Sequence, residues 1–190
     1  MAKPCVVCIS GTSGSGKTTI SNALMERITN ARMINFDDIS GDLLGRDYSE
    51  WSEAGADCND WNLSPIIKNI HKLLLDPLDY IILDYPFGKA HRDVGAYIDY
   101  CVWVDIPLDI SLARRILRDF TRRNPARRPL SGEVSQEISS YLDWYLARHR
   151  NSYFMHINTI KPSADLIVDG ERSIDVIALE ILKKIKARKK

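Results

Sequence analysis

The feature that most constrains this chain is a glycine-rich loop between an apolar strand pattern and a helical pattern. Residues 11 to 19 read Gly-Thr-Ser-Gly-Ser-Gly-Lys-Thr-Thr, which matches the pattern GxxxxGK[ST]. Glycines let such a loop turn its backbone N–H groups onto phosphate oxygens, and the following helix N-terminus adds partial positive charge. The loop therefore predicts an α/β fold that binds a nucleoside triphosphate.

The residue types in the loop assign a role to each position. Lys17 is expected to reach the β- and γ-phosphates of the nucleoside triphosphate, either ATP or, as the alternative, GTP, and Thr18 to ligate Mg²⁺. The remaining positions are expected to surround the phosphates, chiefly through their backbone; they are Gly11, Thr12, Ser13, Gly14, Ser15, Gly16 and Thr19.

Length and composition limit what this loop belongs to. A chain of 190 residues with 45% hydrophobic residues is expected to form one domain, 1–190, with a complete core. Its net charge of +1 argues against nonspecific nucleic-acid binding as the main activity. The chain has neither a membrane-length apolar stretch nor a signal-peptide pattern, so we expect a cytoplasmic protein.

Strand and helix patterns alternate along the chain, as a parallel sheet requires. Between them, the segment 39–62 has no clear period and is too long for an ordinary connection, so we interpret it as an acceptor-binding insert. Five strands are predicted with helices on both faces of the sheet, at about 4–10, 31–36, 80–83, 100–105 and 165–168. Helices are predicted at 17–29, 64–76, from 107, at 135–158 and from 173.

Acidic residues stand where the second and third predicted strands end, and parallel strands end at one edge of the sheet. Asp84 follows four apolar residues and fits an acid that orders Mg²⁺, although a helix cap or an ion pair with Lys17 is the alternative. Asp37 or Asp38 is a candidate general base for an acceptor hydroxyl, with Asp37 also near the metal; a simple turn is the alternative.

Aromatic residues in the predicted loops suggest where an acceptor binds. Five residues lie in loops at the active edge and fit a pocket for a ring-bearing acceptor, although ordinary packing explains each one equally well. They are Trp51, Trp61, Tyr85, Phe87 and His91. His149 and His156 have no partner at metal-ligand spacing, so we expect surface or internally satisfied histidines.

Several motifs together resemble the uridine kinase and phosphoribulokinase superfamily of P-loop kinases. They are the phosphate loop, the acids at 37 and 84, the runs 104–109 and 112–119, and the segment 161–168. The resemblance covers nearly the whole chain. The pair Asp37-Asp38 is closer to nicotinamide riboside kinases than to the Asp-Ser of typical uridine kinases.

The resemblance implies ATP-dependent phosphoryl transfer to a hydroxyl of a nucleoside-like metabolite, with Asp37 taking the proton. It also implies an arginine-rich lid at about 119–132, in which Arg114, Arg118 and Arg123 contact the triphosphate. A solvated basic helix face is the alternative for these arginines.

Other functions remain open at this point. A nicotinamide riboside, pantothenate or sugar kinase fits the same chemistry. A nucleoside monophosphate kinase needs a basic acceptor loop, whereas 39–62 contains only Arg46. An ATP-gated adaptor without turnover is a third alternative. The oligomeric state stays open.

Overall fold

The computed structural model of this protein describes residues 3–39, 41–122 and 132–188. Its centre is a five-stranded parallel sheet with the strand order β2-β3-β1-β4-β5. The prediction of a five-stranded parallel sheet is therefore confirmed. The strands are β1 (Cys5–Ser10), β2 (Ala31–Asn35), β3 (Tyr80–Asp84), β4 (Tyr100–Asp105) and β5 (Leu166–Asp169).

Helices connect the strands in the predicted order. They are α1 (Lys17–Met25), α2 (Tyr48–Glu53), α3 (Ser64–Leu74), α4 (Arg92–Gly95), α5 (Leu108–Ile116), α6 (Gly132–Trp144), α7 (Arg150–Thr159) and α8 (Ile174–Arg188). A π-helical segment, Leu117–Arg122, continues α5, and another, Tyr145–His149, joins α6 to α7. The long helix predicted over 135–158 is thus helical throughout but changes its winding in the middle.

The strands are buried on both faces because successive side chains alternate across the sheet. Val6 and Cys8 join the core formed with α2 and α3. Val7 and Ile9 join the core formed with α1 and α8. The described helices include none with the length and apolarity that a membrane span requires.

Strand register brings the ends of three strands together. Asp84, the last residue of β3, lies beside Ile9 of β1 and Asn35 of β2. The phosphate loop starts directly after β1, and a short 3₁₀ turn, Phe36–Asp38, starts directly after β2. The register therefore places the loop, the aspartate pair and Asp84 at one edge.

Close packing holds the phosphate loop against α5. Gly14 has a φ of 86°, and a Cβ built there would lie 2.3 Å from the carbonyl oxygen of Ser111. Gly16 has a φ of 99°, yet a Cβ there would meet nothing within 4 Å. Glycine is thus needed at position 14 for both backbone conformation and space, and at position 16 for conformation alone.

This difference predicts unequal effects of two alanine substitutions. Gly16→Ala should lower the free energy of unfolding by about 1–2 kcal/mol through left-handed strain. Gly14→Ala should lose about 1–3 kcal/mol more, because the methyl group displaces Ser111. Urea denaturation of both variants measures the difference, and equal losses would contradict the packing of the loop on α5.

Candidate active site

A cavity of about 1370 Å³ opens at the carboxyl edge of the sheet. It lies over the phosphate loop, and most of the predicted site residues line it. These are Gly11, Thr12, Ser13, Gly14, Gly16, Lys17, Thr18, Thr19, Asp37, Asp38, Trp51, Asp84, Phe87, Arg114 and Arg118.

Lys17 is the first residue of α1, and its Nζ donates a hydrogen bond to the carbonyl oxygen of Thr12 at 3.1 Å. Burial lowers the pKa of the Lys17 ammonium, and the charges of Asp84 and Asp37 act in the opposite direction. The lysine therefore lies between the phosphate loop and the acids, where a bound phosphate would neutralise it.

Asp84 is buried beside the hydroxyl of Thr18. Burial raises the pKa of its carboxyl group, while a side-chain hydrogen bond with Thr18 and the charge of Lys17 lower it. Its Oδ2 atom is buried and has no hydrogen-bond partner among the described residues. A buried carboxylate oxygen without a partner, next to a hydroxyl, is the type of donor set that Mg²⁺ takes.

The donor set fits Mg²⁺ although it is small. Mg²⁺ in phosphate-transfer sites is held by one or two protein oxygens together with water and substrate phosphates. Thr18 and Asp84 supply such a pair. Within the described ranges, no group of three or more histidine, cysteine or acidic side chains has metal-binding geometry.

Asp37 and Asp38 lie exposed in the 3₁₀ turn after β2 and both line the cavity. The turn forms because the Asn35 side-chain oxygen accepts a hydrogen bond from the Asp37 backbone N–H at 3.1 Å. Asp37 is among the main charges acting on Lys17, Asp84 and Arg118. Asp38 is among those acting on Asp84. The charge of Asp37 therefore acts on more of the charged groups beside the phosphate loop than the charge of Asp38 does. Its role as the general base stays a prediction.

An aromatic wall lines part of the cavity; we use this name for Phe36, Tyr48, Trp51, Trp61 and Phe87. The rings of Trp51 and Trp61 lie 5.6 Å apart and those of Trp61 and Phe87 5.4 Å apart. The Trp51 indole N–H donates to the Asp57 carbonyl oxygen at 2.8 Å, which fixes its ring. The segment 41–62 therefore supplies most of this wall.

Two predicted acceptor residues do not line the cavity, and this expectation was wrong for both. Tyr85 is fully buried and packs edge-on behind Phe87, with ring centroids 5.4 Å apart. His91 accepts a hydrogen bond from the Val94 N–H at the start of α4, and its Nε2 contacts the Trp61 carbonyl oxygen at 3.1 Å. Both residues support the wall from behind. Ser15 also lies outside the cavity lining and is buried within the phosphate loop, so its expected role, chiefly through its backbone, stays a prediction.

Two histidines that we expected to be ordinary line the cavity instead. His149 and His156 are buried, and His149 Nδ1 and His156 Nε2 have no partner in the described structure. Burial, with the charge of Arg115, lowers the pKa of His149 to about 3. Burial, with the charge of Lys17, lowers the pKa of His156 to about 4. Both side chains are therefore neutral at pH 7.

A helical spacing in the sequence could have identified this face. His149, Tyr153 and His156 are separated by four and three residues, which puts them on one face of a helix. Nothing in the sequence shows that this face turns toward the phosphate loop, because that depends on how the helix packs.

The predicted phosphate-binding arginines differ in their surroundings. Both terminal nitrogens of Arg114 donate to the Gly170 carbonyl oxygen at 3.3 Å. Arg118 donates to both carboxylate oxygens of Asp119, at 2.7 and 3.2 Å. Arg123 and most of the predicted lid, 119–132, lie outside the described residues. Arg114 thus lies on the side of the cavity near β5. Residues 170 and 172–174 also line the cavity on this side.

The buried histidines predict a loss of stability in mild acid. Because the folded-state pKa of His156 lies below its ordinary value of about 6.5, the unfolded chain binds the proton first as the pH falls. When the pH falls from 7.5 to 5.5, protonation of His156 in the unfolded chain should lower the free energy of unfolding by about 1.4 kcal/mol. Over the same pH range, the free energy of unfolding of His156→Phe should therefore fall by about 1.4 kcal/mol less than that of the wild type, as measured by urea denaturation.

The exposed His71 provides the control. His71→Gln should follow the pH dependence of the wild type. If His156→Phe also follows it, His156 is not a neutral buried side chain.

Comparisons with known proteins agree with this fold. The chain is 27% identical over 212 residues to a uridine kinase of Lactiplantibacillus plantarum, covering 94% of this chain and 95% of the relative. It is 28% identical to a uridine kinase of Borrelia garinii, covering 88% and 86%. No protein-family model matches the chain.

Solved structures share the fold. A possible uridine kinase from Bacillus stearothermophilus matches with a TM-score of 0.54 and 17% identity, covering 89% of this chain and 90% of that one. A deoxyadenosine kinase from M. mycoides with bound dATP matches with a TM-score of 0.51 and 14% identity, covering 95% and 99%. The resemblance to uridine kinases is therefore confirmed, and the fold is that of a P-loop kinase.

Proposed function

We propose that this protein, which has the P-loop kinase fold and resembles uridine kinases along nearly its whole length, phosphorylates a nucleoside-like metabolite. The reaction is ATP- and Mg²⁺-dependent transfer of the γ-phosphoryl group to a hydroxyl of that metabolite, in the cytoplasm. One observation carries the proposal: Lys17, Asp37 and Asp84 line the same cavity as an aromatic wall.

The phosphate loop and Lys17 would hold the triphosphate. Backbone N–H groups and an ammonium charge bind phosphate oxygens where negative charge develops, and such preorganised charge supplies much of the rate in phosphoryl transfer. Thr18 and Asp84 would hold Mg²⁺, which neutralises phosphate charge when bound. Burial lowers the pKa of the Lys17 ammonium, and a bound phosphate would oppose this effect by adding to the negative charge of Asp84 and Asp37.

Asp37 would orient the acceptor hydroxyl and accept its proton. It lies at the end of β2, between the phosphate side of the cavity and the aromatic wall, to which the adjacent Phe36 belongs. A general base contributes most when it is held within hydrogen-bond reach of the reacting hydroxyl, so position matters more here than basicity.

The aromatic wall supports a flat, ring-bearing acceptor. Its side chains offer faces and edges on which a heterocycle stacks, and the neutral His149 and His156 add no charge. Uridine or a related nucleoside fits these surroundings best. Nicotinamide riboside is the alternative with the same ring recognition, whereas pantothenate has no ring to stack.

A nucleoside monophosphate kinase is less well supported. Such an enzyme needs cations for the acceptor phosphate, and the single arginine of 39–62, Arg46, forms an ion pair with Asp60. Arg46 is also absent from the cavity lining.

A first test is ADP formation. The protein with ATP and Mg²⁺ should release ADP when uridine, cytidine or nicotinamide riboside is added, and far less with buffer, pantothenate or ribose. ADP release that is the same with every acceptor, or absent with all of them, would favour the ATP-gated adaptor instead.

Removal of the proposed base should slow the chemical step. Asp37→Asn should lower kcat by about 10²–10⁴-fold while ATP affinity stays within a few-fold, because the carboxylate acts on the acceptor proton. Asp38→Asn is the matched control, one residue away in the same turn. A larger kcat loss in the control would assign the base to Asp38.

Removal of a ring from the wall should weaken acceptor binding selectively. Stacking of a base on an aromatic side chain contributes about 1–3 kcal/mol, so Trp61→Leu should raise KM for the acceptor by roughly 5- to 150-fold. KM for ATP should hardly change, because the ring contacts of Trp61 are to Phe36, Trp51 and Phe87 and not to the phosphate loop. Phe154→Leu, on the exposed surface of α7, is the control. Parallel increases in both KM values would contradict the separation of the two halves.

A further inference from the structure

Arg115 lies between two predicted phosphate-binding arginines but makes different contacts. Its Nη1 atom donates to His149 Nε2 at 2.9 Å and to the Tyr153 hydroxyl oxygen at 2.7 Å. Arg114 contacts the loop after β5, and Arg118 pairs with the adjacent Asp119. Arg115 thus joins α5 to the helical face that lines the cavity.

The contact with His149 determines where the imidazole proton lies. Arginine only donates hydrogen bonds and does not lose its proton, so His149 Nε2 must accept. A neutral imidazole that accepts at Nε2 carries its proton on Nδ1. His149 is buried, with a pKa lowered to about 3, and is therefore held in this one tautomer.

His149 in turn touches the aromatic wall. Its ring stacks on Tyr48 with centroids 4.7 Å apart and an interplanar angle of 28°. Trp144 lies against it with centroids 4.3 Å apart. The orientation of His149 therefore affects the surface that Tyr48 presents to the cavity.

The second contact of Arg115 leads to the phosphate loop. Tyr153 accepts from Arg115 and shares a side-chain hydrogen bond with Ser13. Ser13 belongs to the loop and lines the cavity. One guanidinium group thus connects the loop to the wall: hydrogen bonds lead through Tyr153 to Ser13, and a hydrogen bond to His149 leads to the ring that stacks on Tyr48.

Other groups keep Arg115 in place. Its Nε lies 3.5 Å from Asp119 Oδ2, and its guanidinium carbon lies 5.2 Å from the centroid of the Tyr141 ring. An ion pair and a cation–π contact of this kind fix a planar guanidinium in one orientation. The geometry needed to hold both hydrogen-bond partners is therefore built into α5 and α6.

We propose that Arg115 is a positioning residue that couples the phosphate loop to the acceptor side: it holds His149 in its Nδ1-protonated form and holds Tyr153 on Ser13. The proposal rests on the proposed function, in which the loop binds ATP and the wall binds the acceptor. Nucleotide at the loop changes the surroundings of Ser13, and the change reaches His149 through Tyr153 and Arg115. Occupation of the two halves is then coupled, by roughly 5- to 150-fold in affinity if the coupling is of ordinary size.

The test uses the full chain, labelled with ¹⁵N at histidine, and Mg²⁺ with the β,γ-imido analogue of ATP. In the wild type, NMR should show His149 neutral and protonated at Nδ1, and its signals should shift when the analogue binds. In Arg115→Met, both tautomers should be populated and the nucleotide-dependent shift of His149 should disappear, while calorimetry still detects analogue binding.

Two further variants separate coupling from a structural effect. Tyr153→Phe should keep the Nδ1 tautomer but lose the nucleotide-dependent shift, because only the path to Ser13 is cut; it also carries the test if Arg115→Met does not fold. Arg150→Met removes an exposed cation beside His149 and should retain both properties.

The outcomes distinguish this proposal from the proposed function. An unchanged His149 tautomer in Arg115→Met, or a nucleotide-dependent His149 shift that persists in Tyr153→Phe, overturns the proposal alone. Absence of analogue binding to the wild type overturns the proposed function and the coupling together.

Discussion

The functional half of this molecule depends on the burial of one carboxylate where three parallel strands end. Asp84 lies beside Ile9 and Asn35 in the sheet, and its buried Oδ2 has no hydrogen-bond partner in the part of the chain that the structure describes. Such a group is tolerated only where a charge or ligand compensates it. Lys17 and Thr18 supply part of that compensation. The strand register, the phosphate loop and the start of α1 are therefore one interdependent arrangement.

The aromatic wall has a different physical basis. The segment 41–62 has little regular structure, yet aromatic contacts hold it in place: Trp61 packs on Phe87, which follows β3, and Trp51 packs on His156 of α7. Burying large aromatic rings contributes much of the packing energy of a segment and fixes its geometry. This explains how a segment without clear periodicity forms a defined wall. It also explains why Tyr85 and His91 act behind the wall.

Particular residues show how far the sequence could predict the site. The sequence singled out the phosphate loop and the aspartates at 37 and 84, which the structure brings to one cavity, because their types and their places after strands are local features. His149, Tyr153 and Arg115 were missed because their place at this cavity depends on contacts across more than thirty residues, at His149–Arg115 and Tyr153–Arg115. The expectation that Tyr85 lines the cavity was wrong. The direction of a side chain after the end of β3 depends on the path of the backbone there, which residue type does not reveal.

By itself, the sequence determined the five-stranded parallel sheet and the place of the glycine-rich loop at one edge of it, because periodicity and the loop motif are local signals that short-range sterics enforce. Only the tertiary structure decided which aromatic side chains face the cavity and that two histidines are buried there without charge. It also decided that Arg115 lies between the loop and the wall. These features arise from long-range packing and desolvation, which depend on the complete fold and leave no pattern in neighbouring residues.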